Sequence, residues 1–323
     1  MLAAILLAAA ALLARTIDLL PRGWLNADYV QLNHGLAQRS LSQVDRAVGA
    51  LTADSETQPI ARRAWRGIGL AYVALGRLED AALAWEHVPG SRAEFTAWAL
   101  AAERSGEWPA ARAWHWLSVR ADPTDGDQWY RLGRAAAGSG DAAAAAGYYA
   151  EALGAPQRHQ FGRSNIQVRL AELAKNAAPP DWAGALALYE DAIDQDDFPL
   201  ADDRLNALLG RAETLDKLDR LPEALDAYRL VVAGWPNHYW ANVHSGRLTW
   251  NVEGDAARAA GYLRRAIAID GRSKWAYLFL AEVYTRSGAP AEAVPLLRQV
   301  LTLDPTDEAA RQQLQRLTDG HDS

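Results

Sequence analysis

The chain has 323 residues, of which 50% are apolar and 23% charged, with a net charge of -7 and a pI near 5.5. Such a composition can fill a core but offers no basic field to nucleic acid or to an anionic lipid surface, so no nucleic-acid partner is expected. The lack of Cys excludes disulfides, thiolate metal sites, iron-sulfur clusters and thiol catalysis, and a chain rich in Ala with only 4 Phe favours helices over strands.

Met1 to Ala14 read MLAAILLAAAALLA. As a helix this run spans about 21 Å, against about 30 Å of hydrocarbon. Continued past Arg15 and through Leu20 to the break at Pro21, it becomes a marginal single span with Trp24 at the interface. Residues 1-24 are therefore expected to form an apolar N-terminal helix that anchors the chain in a membrane; a cleaved signal peptide and a packed cap helix are the competing readings. Arg15 and Arg22 follow the run with nothing basic before it, which by the positive-inside rule places the rest of the chain in the cytoplasm.

From residue 25 onward the chain repeats itself. A degenerate unit occupies Asn26 to Asp54, with Tyr29, Leu32, Leu36, Val44 and Val48 as its apolar stripe. Trp65, Ile68, Gly69, Tyr72, Gly76, Ala81 and Trp85 form the next, cut short at Val88-Pro89-Gly90. Trp98, Gly106, Trp108, Ala111 and Pro123 follow; Trp129, Leu132, Gly133, Gly140, Ala145, Tyr149 and Ala152 come after them, with Gly140 placed 34 residues beyond Gly106. Two looser units run through Ala171, Trp182, Ala185, Tyr189 and Ala192, and through Leu208, Ala212, Leu215, Ala224, Tyr228 and Pro236. Gly246, Trp250, Gly254, Ala259, Leu263 and Ala266 lead into the clearest unit, Tyr277, Leu280, Ala281, Tyr284, Gly288, Ala293, Leu297, Val300 and Pro305.

This order and spacing resembles the tetratricopeptide repeat family over roughly Asn26 to Thr318. The resemblance implies an all-α, right-handed superhelical solenoid of antiparallel helix pairs across residues 25-305, closed by a capping helix and polar tail in 306-323. No unit buries its apolar face alone, so the stack stands only as an array. The stretches Gly154 to Ser164 and Asn176 to Asp181 lengthen two connections and predict a bend or loosening of the superhelix near the fourth unit, followed by an acidic loop at Asp194 to Asp203.

Chemistry is scarce. The seven His are scattered over different units, and His238 and His244, six apart, lie about 120° from each other on a helix rather than on one face. No metal-ligand spacing, nucleophile elbow or phosphate loop occurs, so no enzyme activity, cofactor or metal is expected. Gly138-Ser139-Gly140 is explained by the inter-helix turn.

Of the 13 Trp, those at 65, 85, 98, 108, 129, 182 and 250 fall where the repeat wants a large core group. Trp24, Trp114, Trp116, Trp235, Trp240 and Trp275 do not, and are candidates for contact with a partner or a membrane, although for Trp114-His115-Trp116 local packing against a shortened neighbour is the favoured reading. The first helices are expected to line a concave groove with Arg63, Arg66, Tyr130, Arg131, Arg134, His244, Asn251, Trp275 and Arg286, a mixed surface suited to an extended peptide. Leu70, Leu100 and Leu248 stand where the familiar carboxylate-clamping groove of the family carries Lys and Asn, which disfavours that ligand.

The expected function is a membrane-tethered, non-catalytic scaffold binding another protein, a membrane complex among the candidates. An accessory role in bacterial cell-envelope polysaccharide assembly or export is the alternative implied by similar arrays. Since many anchored bacterial arrays face outward, the side of the membrane stays open.

Overall fold

The computed structural model describes residues 46–47, 61–156 and 160–319. Its regular structure is helical throughout, with no strand among the described residues, and falls into two compact units that divide at Gln160 and Phe161, inside the first lengthened connection. The first unit holds α1 (Ala61–Ala74), α2 (Leu78–Glu86), α3 (Arg92–Arg104), α4 (Trp108–Ala121), α5 (Gly126–Gly138) and α6 (Ala142–Gly154). The second holds α7 (Arg163–Lys175), α8 (Trp182–Gln195), α9 (Ala201–Lys217), α10 (Leu221–Gly234), α11 (Tyr239–Leu248), α12 (Ala256–Ile269), α13 (Lys274–Arg286), α14 (Pro290–Leu303) and α15 (Glu308–Asp319). Each odd-numbered helix up to α13 pairs with the one after it, and α15 packs on α14 as the terminal cap.

The sequence period is a packing period. One Ala per second helix, at 81, 111, 145, 185, 224, 259 and 293, is fully buried. These sites allow close helix approach, and a larger side chain would cost about 1–3 kcal/mol each. Opposite them, rings seat on glycines: a Cβ on Gly69 would lie 2.3 Å from Trp85, on Gly133 2.6 Å from Tyr149, and on Gly210 2.3 Å from Tyr189. Tyr189 and Tyr228 reach the next pair, one toward Gly210 of α9 and the other stacked on His244 of α11. Asp125, Asp141, Asp181 and Asp255 cap α5, α6, α8 and α12 through their carboxylates.

In six of the seven pairs the turn takes a residue with positive φ: Gly76, Gly106, Gly140, Asp219, Gly254 and Gly288; the longer α7–α8 connection has none. Three departures from this regularity matter. Helix α2 has 9 residues where α4, α8, α10, α12 and α14 have 14. Its early end leaves a cavity of about 600 Å³ beside Trp85, Phe95 and Leu117. Between its N-cap and its turn glycine, α11 with its extension holds one residue more than α13, and the surplus is taken up as a π-turn, Thr249–Glu253. Finally, the acidic loop after α8 is not purely solvent-facing. Asp197 accepts the backbone N–H groups of Arg163 at 2.7 Å and Ser164 at 2.8 Å, capping α7 from the far end of its pair. Burial raises the Asp197 pKa, but these hydrogen bonds outweigh it and hold the carboxyl below its usual range.

Candidate functional site

On the first-helix face of the first unit, the charged residues are bound to one another. Arg66 pairs with Glu94 at 2.7 Å and lies over the Trp98 ring. Glu103 receives the fully buried His115 at 3.1 Å and Arg134 at 3.8 Å. Burial raises the Glu103 pKa, yet the His115 hydrogen bond and Arg134 bring it below the ordinary glutamate value. Arg131 donates to the side-chain oxygen of Gln160, whose own N–H donates to Asp127 at 2.9 Å.

That last contact corrects one expectation. Tyr130, placed in the groove by helical spacing, is buried, its ring 5.7 Å from Tyr149. The first turn of α5 is covered: Gly126, Asp127 and Gln128 are buried with it, and Gln160 returns across this turn. Trp114 is likewise no contact residue, being buried between Phe95 and Trp98 where the shortened α2 leaves room for a large ring. Trp116 is half-buried with Arg120 over its ring, and Trp235 is half-buried against the α9–α10 core. Of the seven Trp assigned to the core, Trp85 is fully buried and the other six are half-buried. Trp24 and the whole 1-24 helix lie outside the described residues, as does the Arg63 side chain. Among the described residues, no helix is long and apolar enough to cross a membrane, and no group of His and carboxylates is placed to hold a metal.

In the second unit two of the off-pattern tryptophans are exposed. Trp240 and Trp275 are each the second residue of a first helix, α11 and α13, and each keeps 45% of its surface exposed. The two helices touch, and a 2.6 Å hydrogen bond between Tyr239 Oη and Ser273 Oγ joins their starts. Trp240 lies 5.8 Å from the His244 ring, and Trp275 stacks on Phe279 at 6.5 Å. The result is a shelf of two exposed rings on two neighbouring helices; Arg247 further along α11 pairs with Asp216 at 2.5 Å, and Arg286 at the far end of α13 bonds Glu282 at 2.9 Å and lies over the Trp250 ring. Asn251 is exposed in the π-turn. Burial, with Arg247 secondary, pulls the His244 pKa down to about 4, so this imidazole is neutral at pH 7. Nothing on the shelf is arranged for bond making: the His244 ring is stacked on Tyr228 and its Nδ1 has no hydrogen-bond partner.

Sequence reasoning missed Phe279, which lies one turn beyond Trp275 on the same side of α13; the i, i+4 spacing carried that signal. It also missed the arginines of the second helices, because the expected groove is lined by first helices.

Comparison with known proteins agrees with this geometry. One tetratricopeptide repeat profile matches residues 253–317 and another matches 32–87 and 181–239, together more than half of the chain. No curated protein sequence matches it. Among solved structures, YrrB, a tetratricopeptide protein with an unusual peptide-binding site, is 14% identical; the match covers 61% of this chain and 96% of that one with a TM-score of 0.53. Pseudomonas aeruginosa pilF is 14% identical, covering 71% and 97% at 0.56. PilW, a type IV pilus biogenesis factor, is 15% identical, covering 72% and 100% at 0.53. At these identities the likeness of the structures speaks for the fold alone. With the profile matches and seven helix pairs in the described residues, the chain belongs to the tetratricopeptide repeat family.

Proposed function

We propose that the chain is a non-catalytic scaffold that holds a partner protein on the first-helix face of its second unit, and that residues 1-20 tether it to a membrane. Tetratricopeptide repeat proteins are in general protein-interaction scaffolds. The observation that carries the site is the matched exposure of Trp240 and Trp275 on adjacent helices. Two large rings left in water, at corresponding places and not needed by the core, are costly unless a partner covers them. Interface energy concentrates in such anchors.

The test is co-purification in mild detergent, comparing the intact chain with the double variant Trp240→Ala, Trp275→Ala. The partner recovered with the wild type is expected to be lost with the double variant while the helical circular dichroism spectrum is retained. Equal recovery would remove the shelf from the reading. Protease protection in intact cells reports tethering and the side of the membrane.

A further inference from the structure

The second-helix side of the same unit carries a different surface. A cleft of about 470 Å³ opens between α10 and α12, lined by Arg229, Val232, Arg258, Gly261, Tyr262 and Arg265. In a chain of net charge -7, three guanidiniums around one cleft are a local inversion of sign.

The acids present do not neutralise it. Glu253, delivered by the π-turn, binds Arg229 through both oxygens at 2.8 and 2.7 Å and Arg258 at 3.2 Å. One carboxylate thus serves two cations. Asp255 is held at the start of α12, where it accepts the Arg258 N–H at 2.9 Å and reaches the Arg258 guanidinium at 3.6 Å. Arg229 also donates to Thr249 Oγ1 at 3.3 Å. Arg265, two turns further along α12, is exposed, and among the described residues no carboxylate pairs with it. Its neighbour Arg264 turns to Tyr284, again without an acid. At position 261 the cleft is open: a Cβ there would meet nothing within 4 Å.

We infer that this cleft docks an acidic segment of a partner protein, its carboxylates bridging Arg258 and Arg265 and its backbone lying over Gly261. Guanidinium forks recognise carboxylates through paired, charge-assisted hydrogen bonds, and a site with more cations than anions lacks the counter-charge that such a segment brings. The site is separate from the tryptophan shelf and does not depend on it.

The test uses the full chain and a fluorescein-labelled peptide rich in Glu and Asp, followed by anisotropy, with a Lys-rich peptide of the same length as control. Arg265→Glu is expected to weaken the acidic peptide about tenfold or more. Gly261→Gln, which fills the cleft without changing charge, is expected to do the same. Arg272→Glu makes the same change in net charge at an exposed arginine outside the cleft, and is expected to stay within about twofold, as is the Trp240→Ala, Trp275→Ala double variant. Equal losses for Arg265→Glu and Arg272→Glu would reduce the effect to overall charge and overturn the proposal. So would undiminished binding by Gly261→Gln. Displacement of the peptide by low inorganic phosphate, or preferential capture of the chain by phosphatidylglycerol vesicles, would assign the cleft to another anion and overturn it as well.

Discussion

Tyr239 and Ser273 share a hydrogen bond of 2.6 Å between their side-chain oxygens, one residue before Trp240 and two before Trp275. The bond ties the starts of two successive first helices and so fixes how far apart the two exposed rings stand. Tyr239→Phe keeps the ring and removes the bond. It is expected to cost about 1 kcal/mol in urea unfolding and to weaken partner recovery, because the rings lose their mutual register. Partner recovery unchanged at the reduced stability would show that the shelf needs no such register.

Trp114 and Trp240 look alike in sequence and differ in role. Trp114→Ala empties a buried site between Phe95 and Trp98 and is expected to cost about 3–5 kcal/mol. Trp240→Ala or Trp275→Ala removes a ring that is 45% exposed and is expected to move the thermal midpoint by no more than a few degrees. Melting curves followed by circular dichroism decide this. A large loss at Trp240 would make it a core residue.

Glycine substitutions separate packing from helix propensity. Gly133→Ala places a Cβ 2.6 Å from the Tyr149 ring and is expected to destabilise by about 1–3 kcal/mol. Gly147→Ala, in α6 with nothing within 4 Å, is expected to stabilise by about 0.5–1 kcal/mol. A denaturation midpoint raised by both changes would contradict the close seat of Tyr149 on α5.

Among the turn residues with positive φ, Asp219 (φ 58) stands where five other pairs of helices use glycine. Left-handed backbone costs a residue with a side chain about 1 kcal/mol, so Asp219→Gly is expected to raise stability by up to about that amount. Lower stability in Asp219→Gly would mean that the carboxylate contributes more than the backbone strain removes.

The ring of His244 is neutral in the folded chain because burial disfavours its charge, with its pKa near 4 against 6.5 in the unfolded chain. The unfolded state therefore binds the proton first. The stability this provides is complete above about pH 6.5 and is lost as pH falls toward 4, up to about 3 kcal/mol. Arg247 and Lys217 add to the depression, while Asp216 and Glu213 oppose it. Between pH 7 and pH 4, wild type is expected to lose about that much more than His244→Gln in chemical denaturation. Parallel pH curves would place the imidazole in water.

Much of the architecture was legible residue by residue. The small residues at Gly69, Gly133 and Ala281, the turn glycines and the prolines at 123, 236 and 305 have single physical roles, and a role that recurs every 34 residues or so is read without coordinates. The site was legible only in part. Trp240 and Trp275 were singled out because they fall off the core pattern, and the structure leaves them exposed. Tyr130 was misplaced, and for Trp114 the structure bears out packing rather than contact. Helical phase tells which way a residue faces within its own pair, but not that Gln160 comes back over α5.

The sequence alone determined that this protein is a stack of helix pairs, because that outcome rests on local terms: propensity, period, turn chemistry and residue size along one helix. Tertiary structure alone decided which charges are spent on one another and which remain. Glu253 reaches two arginines on different helices and, among the described residues, Arg265 reaches no acid, since ion pairing depends on distances between elements that are far apart in the chain.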